Sequence, residues 1–302
     1  MLKGFVGMSY SQTYIRTLTG VDIPIIERLL RTSEYIYQRF TLAELPHLLN
    51  GDPAVGLFHG NVLDAFLLSQ TVNPPSAWIG GFGVSWTESK EYVHMLSDLL
   101  ERLCSLLLQR GVRNLYYSSN DVERDWLRPV LLLRGFMPYR SLYAYDKYDR
   151  AIPLQGNQEV IIRPVSLPQT PQDDPGDLPE LLEIERLCFE DLWRYDRRAF
   201  ADIVLTHPYF VVAELGGQVV GYQFNAVDDE NGYLVRIAVH PSAQGQGIGA
   251  RLMAEALRFF QRAHVLRIML NTLNDNYEAH RLYERFGFVR IEQQGFVLRK
   301  PL

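Results

Sequence analysis

The stretch HPSAQGQGIGARL (residues 240–252) carries three glycines within five positions, Gly245, Gly247 and Gly249. It follows the apolar run YLVRIAV, which predicts a buried strand, and it leads into a segment whose apolar residues recur at the spacing of one helical face. The glycines therefore stand where a helix begins, where about four backbone amides lack intrahelical acceptors and the helix dipole presents positive charge. Without side chains in the way, an anion reaches these amides, and a diphosphate fits such a site well.

Three other structures contain closely spaced glycines: the P-loop, the dinucleotide-binding loop and a plain tight turn. A P-loop requires Lys followed by Ser or Thr after its last glycine, where this chain has Ala250 and Arg251, so that motif is excluded. The run GQGIGA does match the Gly-x-Gly-x-x-Gly/Ala pattern of dinucleotide-binding folds. However, five residues including Pro241 separate it from the strand, and it lies deep inside its half of the chain. A plain tight turn would account for one or two of the glycines but hardly for all three.

The loop resembles the pyrophosphate loop of the GNAT N-acetyltransferase superfamily, whose pattern is Arg/Gln-x-x-Gly-x-Gly/Ala and which Gln244, Gly247 and Gly249 match here. Downstream, NYEAHRLYERFGF (residues 276–288) is similar to the family's Asn-x-x-Ala…Leu-Tyr-x-x-x-Gly-Phe segment. The two motifs occur in the expected order, separated by a predicted helix and strand. The resemblance covers about residues 160–302.

The resemblance implies acetyl-CoA as co-substrate, direct transfer of the acetyl group to a primary amine, and no metal. It also implies that the loop amides hold the diphosphate, that the preceding strand pairs with the pantetheine arm, and that Asn276 contacts this arm. Tyr283 matches the position of the general acid that protonates the departing CoA thiolate. The cofactor-binding residues implied in this way are Ile237, Ala238, Val239, Gln244, Gly245, Gln246, Gly247, Ile248, Gly249, Ala250 and Asn276.

The order of predicted elements occurs twice along the 302 residues, a length typical of two domains. Corresponding landmarks lie about 150 residues apart: Arg16 and Arg163, Ala65 and Gly221, Val84 and Val239, Gly135 and Gly287. We therefore predict an α/β protein of the α+β type, with two tandem GNAT-like domains that each have a mixed, mostly antiparallel sheet flanked by helices. The predicted boundaries are a first domain over 1–150, a linker over 151–159 and a catalytic domain over 160–302. In the second half, apolar runs and helical spacing also predict several elements: a helix over 178–192, a hairpin over 209–226, a turn that contains Asn231-Gly232, a strand over 265–271, a helix over 275–286 and a terminal hairpin.

The first half does not carry the cofactor motif. After GGFGV it reads SWTESKEYVHM, with no glycine in the loop position and with Glu88 and Glu91 near the start of the helix. Carboxylates there would repel a diphosphate. Leu131 and Pro129 occur where the second half has its tyrosine motif. We expect residues 1–150 to keep the fold, to bind no acetyl-CoA and to serve a structural role.

A general base for the acceptor amine is not evident. Members of the family that resemble ribosomal-protein-alanine acetyltransferases or mycothiol synthase carry a glutamate where this chain has Asn271 or Tyr233, respectively. The remaining candidates are Glu190, Asp191, His207, Asp228, Asp229 and Glu230. Because an α-amine with a pKa of about 8 is partly neutral at pH 7, whereas a lysine amine near 10.4 is not, we expect a low-pKa acceptor, either a small metabolite or a peptide amino terminus.

Composition restricts the remaining possibilities. The net charge of −5 argues against a nucleic acid or an anionic membrane as partner, and no segment approaches the length of an apolar membrane span. The amino terminus lacks the apolar core of a signal peptide, and Cys104 and Cys188 lie in helix-like apolar patterns. We expect a cytoplasmic monomer or homodimer with reduced thiols. A non-catalytic acetyl-CoA-binding regulator and a dehydrogenase remain as alternatives.

Overall fold

The computed structural model describes residues 13–71, 75–168, 170 and 173–302. The first twelve residues, on which the expectation about a signal peptide rests, lie outside the described part. The chain forms two compact units that interleave in sequence. One comprises the residues up to Ser118 with Arg124–Tyr139 and Val297–Leu302, and the other comprises Ser119–Glu123 with Arg140–Phe296. The predicted domain boundaries, with a first domain over 1–150, a linker over 151–159 and a second domain over 160–302, stay predictions.

The first unit is an antiparallel sheet that ends in one parallel pair. Its strands lie in the order β1-β3-β4-β5-β6; β5 and β6 are parallel, and β2 pairs with β5 outside this order. The elements are β1 (Thr13–Thr17), α1 (Ile23–Thr32), β2 (Ile36–Gln38), α2 (Leu45–Gly51), β3 (Ala54–His59), β4 (Val62–Thr71), β5 (Ser76–Val84), α3 (Tyr92–Gln109), β6 (Asn114–Ser119) and α4 (Arg128–Leu133).

From β8 onward the second unit repeats this order of elements, without a counterpart of β2. Its strands lie in the order β7-β12-β11-β10-β9-β8, and β11 and β12 form its parallel pair. The elements are β7 (Met137–Lys147), β8 (Ile161–Pro164), α5 (Leu178–Cys188), α6 (Arg197–Thr206), β9 (Tyr209–Leu215), β10 (Gln218–Val227), β11 (Asn231–Val239), α7 (Ile248–Arg262), β12 (Arg267–Leu273), α8 (Tyr277–Arg285) and β13 (Val289–Pro301), whose last residues belong to the first unit. The predicted fold class is confirmed.

The repeat extends to strand register and to one ion pair. The parallel contact involves Ser76–Trp78 of β5 and Asn231–Tyr233 of β11, the first three residues of each strand. In each unit an arginine, on β1 or on β8, forms a two-pronged ion pair with a buried aspartate just before the first long helix that follows. These pairs are Arg16 with Asp22 and Arg163 with Asp177. Such a planar, two-bond geometry is specific, which makes its double occurrence a mark of duplication.

Three predicted details of the second half were wrong. The helix predicted over 178–192 ends at Cys188, and the chain then returns so that the Tyr195 amide donates to the Glu185 carboxylate. The terminal hairpin is the single strand β13. Gly232 lies inside β11 rather than in the turn before it. A Cβ on Gly232 would lie 2.5 Å from the Phe260 ring, so this glycine serves the packing of α7 on the sheet.

Candidate functional site

An open strand edge runs through the middle of the second unit. β12 pairs with β11 only as far as Tyr233, and within the described chain no strand adjoins that side of β11 from Leu234 to Val239. Val235 is skipped in the pairing with β10, which marks a β-bulge. An extended ligand could pair with this edge through backbone N–H and C=O groups. The Val239 carbonyl is the exception, because it accepts from the Gln244 side chain at 3.0 Å and from the Cys188 thiol at 3.3 Å.

The glycine loop connects this edge to α7. Gly247 is the N-cap of α7 with φ of 78°, in the left-handed region that favours glycine. No described residue accepts a hydrogen bond from the backbone amides of residues 245 to 250. Residues 244–247 are exposed, whereas Ile248 is buried beneath α7 and fixes the first turn. The loop therefore presents a row of free donors at the positive end of a 15-residue helix, as the sequence predicts.

Tyr283 lies in α8 and packs against the same apolar cluster as Ile237 of the open strand and Ala250 of the helix start. Its side chain is buried, and the described residues offer its hydroxyl no hydrogen-bond partner. Burial, with a smaller contribution from Tyr145, raises the pKa of Tyr283. The hydroxyl is therefore protonated at neutral pH, which is the state that a general acid requires.

Asn276 caps the beginning of helix α8. It is exposed and forms the N-cap of α8, where its Oδ1 accepts the Ala279 amide at 3.3 Å. Asparagine is a preferred residue at this position because its side chain satisfies an otherwise free helix amide. Because Oδ1 is used in this bond, the predicted contact of Asn276 with the cofactor arm would be made by its Nδ2 group.

Two residues beside Tyr283 were not predicted from the sequence. The Tyr145 ring on β7 meets the Tyr283 ring edge-on, with centroids 5.8 Å apart. Its hydroxyl lies 2.8 Å from His280 Nδ1, and His280 Nε2 lies 3.2 Å from the Asn274 carbonyl. Because a carbonyl only accepts, His280 Nε2 carries a hydrogen and donates to Asn274. No motif marks Tyr145, since β7 precedes the linker and lies outside the segment that resembles the family.

Three of the five acidic candidates for the general base already bind other groups. Glu190 is paired with Arg140 and Asp191 with Arg194. Asp228 accepts the Glu230 amide, the Tyr233 hydroxyl and the Asn231 amide, and these bonds lower the pKa of Asp228 to about 2. For Asp229 and the Glu230 carboxylate the structure adds nothing to the sequence.

His207 packs against the Phe224 ring, with centroids 5.0 Å apart. Burial lowers the pKa of His207, so the neutral imidazole is favoured at pH 7.

A buried carboxylate that was also not predicted lies behind the open strand. Glu185 accepts from the Tyr222 hydroxyl and the Tyr195 amide, and Arg236 of β11 lies 3.6 Å away. The Arg236 guanidinium also stacks over the Phe189 and Tyr195 rings at 3.9 and 4.2 Å. Burial raises the pKa of Glu185 against the effect of Arg236. This network fixes the end of α5 against β11, and each Glu185 oxygen already accepts a hydrogen bond from the protein.

Two kinds of feature are absent from the described residues. In the ranges that the structure describes, no helix combines the length and the apolar character needed to cross a membrane. Nor does that part of the chain gather three or more His, Cys, Asp or Glu side chains into a cluster that could hold a metal ion.

Comparison with known proteins places this site in a family. The model of the acetyltransferase (GNAT) family matches residues 178–288. An uncharacterized N-acetyltransferase of Methanocaldococcus jannaschii is 33% identical over 114 residues, which cover 37% of this chain and 72% of that protein. A mycothiol acetyltransferase of Amycolatopsis mediterranei is 30% identical over 115 residues, 35% of this chain and 37% of the relative. A tandem GNAT protein from the clavulanic acid biosynthesis pathway has the same fold, with a TM-score of 0.65 at 11% identity over 96% of this chain and 98% of its own.

Proposed function

Because this chain belongs to the GNAT family of acyl-CoA-dependent N-acetyltransferases, we propose that its second unit transfers an acetyl group from acetyl-CoA to a low-pKa primary amine, with Tyr283 as general acid. The observation that carries this proposal is a single arrangement. The free amides of residues 245–250, the unpaired edge of β11 and the buried Tyr283 adjoin one apolar cluster. Diphosphate, pantetheine and thioester would contact these three features in that order.

The chemistry follows from this placement. The neutral amine attacks the thioester carbonyl carbon, forming a C–N bond and then breaking the C–S bond. The departing thiolate takes the Tyr283 hydroxyl proton, the new amide nitrogen gives its extra proton to water, and water restores the proton on Tyr283. A positioned acid of this kind contributes about two to four orders of magnitude in rate.

The acceptor class can be tested by competition. Since the carboxylates of Glu190, Asp191 and Asp228 are bound to other groups, we expect deprotonation through water, which restricts the acceptor to amines that are partly neutral at pH 7. In a mixture of a peptide α-amine and a lysine side chain at pH 7, we expect acetylation of the α-amine to dominate. The rate should rise with pH up to about 8, as that amine loses its proton. Preferential acetylation of the lysine amine would contradict the proposed acceptor class.

The first unit supports the proposal of one cofactor site per chain. Its strand β5 corresponds to β11, but β2 pairs with it at Gly81, Phe82 and Gly83. These residues correspond in register to the part of β11 that is open in the second unit. The Arg39 amide also donates to the Gly80 carbonyl, which extends the contact. The backbone groups with which pantetheine would pair are thus used by the protein itself.

We therefore expect acetyl-CoA to bind with a stoichiometry of one per chain. Isothermal titration calorimetry of the full chain measures this directly. A matched titration with NAD tests the dinucleotide alternative and should show no binding. Two acetyl-CoA molecules per chain would contradict the proposed loss of the first site.

A further inference from the structure

The linker over 151–159 lies along α7. Ile152 and Leu154 pack against the apolar cluster that contains Tyr283, and the Gln155 side chain bonds to Arg258 on the body of α7. Gly156 has φ of 68°, and a Cβ there would lie 2.1 Å from the Arg251 amide nitrogen. Only glycine permits this approach, so the linker backbone rests directly on the first turn of α7.

The next linker residue is bonded to the glycine loop. The Asn157 amide donates to the Gly247 carbonyl at 3.2 Å, and the Asn157 side-chain Nδ2 donates to the Gln246 carbonyl at 3.1 Å. The side-chain Oδ1 accepts the Glu159 amide at 2.9 Å, which holds Asn157 in its orientation. Asn157 therefore contacts both consecutive loop carbonyls, and the Gly247 carbonyl also accepts the Arg251 amide of α7 at 3.0 Å.

The planar geometry of the peptide bond means that holding these two carbonyls also orients the N–H groups that follow them. In a planar trans peptide the C=O of one residue and the N–H of the next point in opposite directions. With the Gln246 and Gly247 carbonyls held toward Asn157, the N–H groups of Gly247 and Ile248 point away from the linker. No described residue accepts from either of these N–H groups. They belong to the row of amides that the proposed function assigns to the diphosphate.

We propose that Asn157 is a positioning residue for the cofactor's diphosphate: it fixes the loop carbonyls so that the amides are oriented before acetyl-CoA binds. The inference rests on the proposed function, because it acts only through a diphosphate held by this loop. It extends the cofactor machinery to a residue outside the segment 178–288 that matches the family. A donor oriented in advance saves the cost of ordering it on binding.

The test compares two thioesters, acetyl-CoA and acetyl-pantetheine, of which only the first contains a diphosphate. With Asn157→Ala we expect the KM for acetyl-CoA to rise about three- to tenfold, the effect of one lost hydrogen bond, with kcat unchanged. The KM for acetyl-pantetheine should not change. Gln155→Ala is the matched control, since it removes a linker amide that bonds only to the body of α7, and both KM values should stay at the wild-type level.

A second variant separates positioning from linker folding. Asn157→Asp retains the oxygen that accepts the Glu159 amide but removes the donor to Gln246, so the linker turn persists. We expect a larger rise in the acetyl-CoA KM than for Asn157→Ala, because the new carboxylate also repels the diphosphate. Equal changes for both thioesters, or no change for acetyl-CoA, would overturn the inference while leaving the proposed function intact. A wild-type chain that fails to bind acetyl-CoA would overturn the proposed function and the inference with it.

Discussion

Replacing Tyr283 by phenylalanine is expected to lower kcat by about a hundredfold or more, while the Kd for acetyl-CoA changes less than about twofold. The hydroxyl is the only group lost, and the described residues give it no hydrogen-bond partner that the change would leave unpaired. The phenylalanine ring retains the contacts with Tyr145 and Phe288, so the apolar cluster and the fold should persist. Steady-state release of free thiol measures kcat, and calorimetry measures the Kd.

Tyr277→Phe provides the matched control for this experiment. Tyr277 lies on the same helix α8, but its side chain is 69% exposed. Its hydroxyl has no hydrogen bond to the described residues, so turnover should equal that of the wild type. If Tyr283→Phe also turned over at the wild-type rate, the role of Tyr283 as general acid would be refuted.

Replacing Gly249 by glutamate should nearly abolish acetyl-CoA binding. Gly249 is in the first turn of α7, and a Cβ there meets only ordinary contacts, 3.5 Å from Leu282 and 3.9 Å from Val239. A carboxylate about 5 Å from the diphosphate at an effective dielectric of about 20 costs about 3 kcal/mol per charge pair. We therefore expect the Kd to rise at least about a hundredfold. Thermal stability should be kept, because glutamate is favourable in the first turn of a helix.

The neutral variant Gly249→Gln separates charge from size. It has the same shape and lacks the charge, so the Kd should rise about tenfold or less, and added salt should narrow the difference between the two variants. If glutamate and glutamine weakened binding equally, the effect would be steric. If neither weakened it, the diphosphate would not lie at this loop.

The sequence predicted the parts of the site that local chemistry dictates. The three glycines of the loop and the tyrosine of α8 are visible because each chemical task needs that residue type at that spacing. Tyr145 and Asn157 were missed for a common reason. They reach the site through pairing of β7 with β12 and through the packing of the linker on α7, contacts that join positions far apart in the chain. His280 lies in α8, within the segment 276–288, but its contact with Tyr145 also depends on a partner that is distant in the sequence. A single sequence without an alignment carries no signal for such contacts.

Long-range contacts also limited what the sequence could predict about the fold. Apolar runs located β9, β10, β11 and β12, and the helical spacing located α7 and α8. The Asn231-Gly232 pair was misread because the same dipeptide serves tight turns and close helix packing, and only the neighbouring Phe260 ring decides between them. The ends of α5 and β13 depend likewise on partners elsewhere in the unit. Local pattern was sufficient for the elements and insufficient for their boundaries.

The pairing of β2 with β5 also has a consequence for aggregation, because it covers a strand edge that would otherwise be unpaired. An unpaired edge can recruit any extended chain, which makes it a hazard for aggregation. The first unit has removed that hazard permanently by covering the edge with three of its own residues, Ile36–Gln38. The second unit keeps the edge open, as its proposed catalysis requires, and bound acetyl-CoA would cover it. The duplicated fold thus contains two answers to one problem, and the proposed chemistry belongs to the answer that leaves the edge exposed between turnovers.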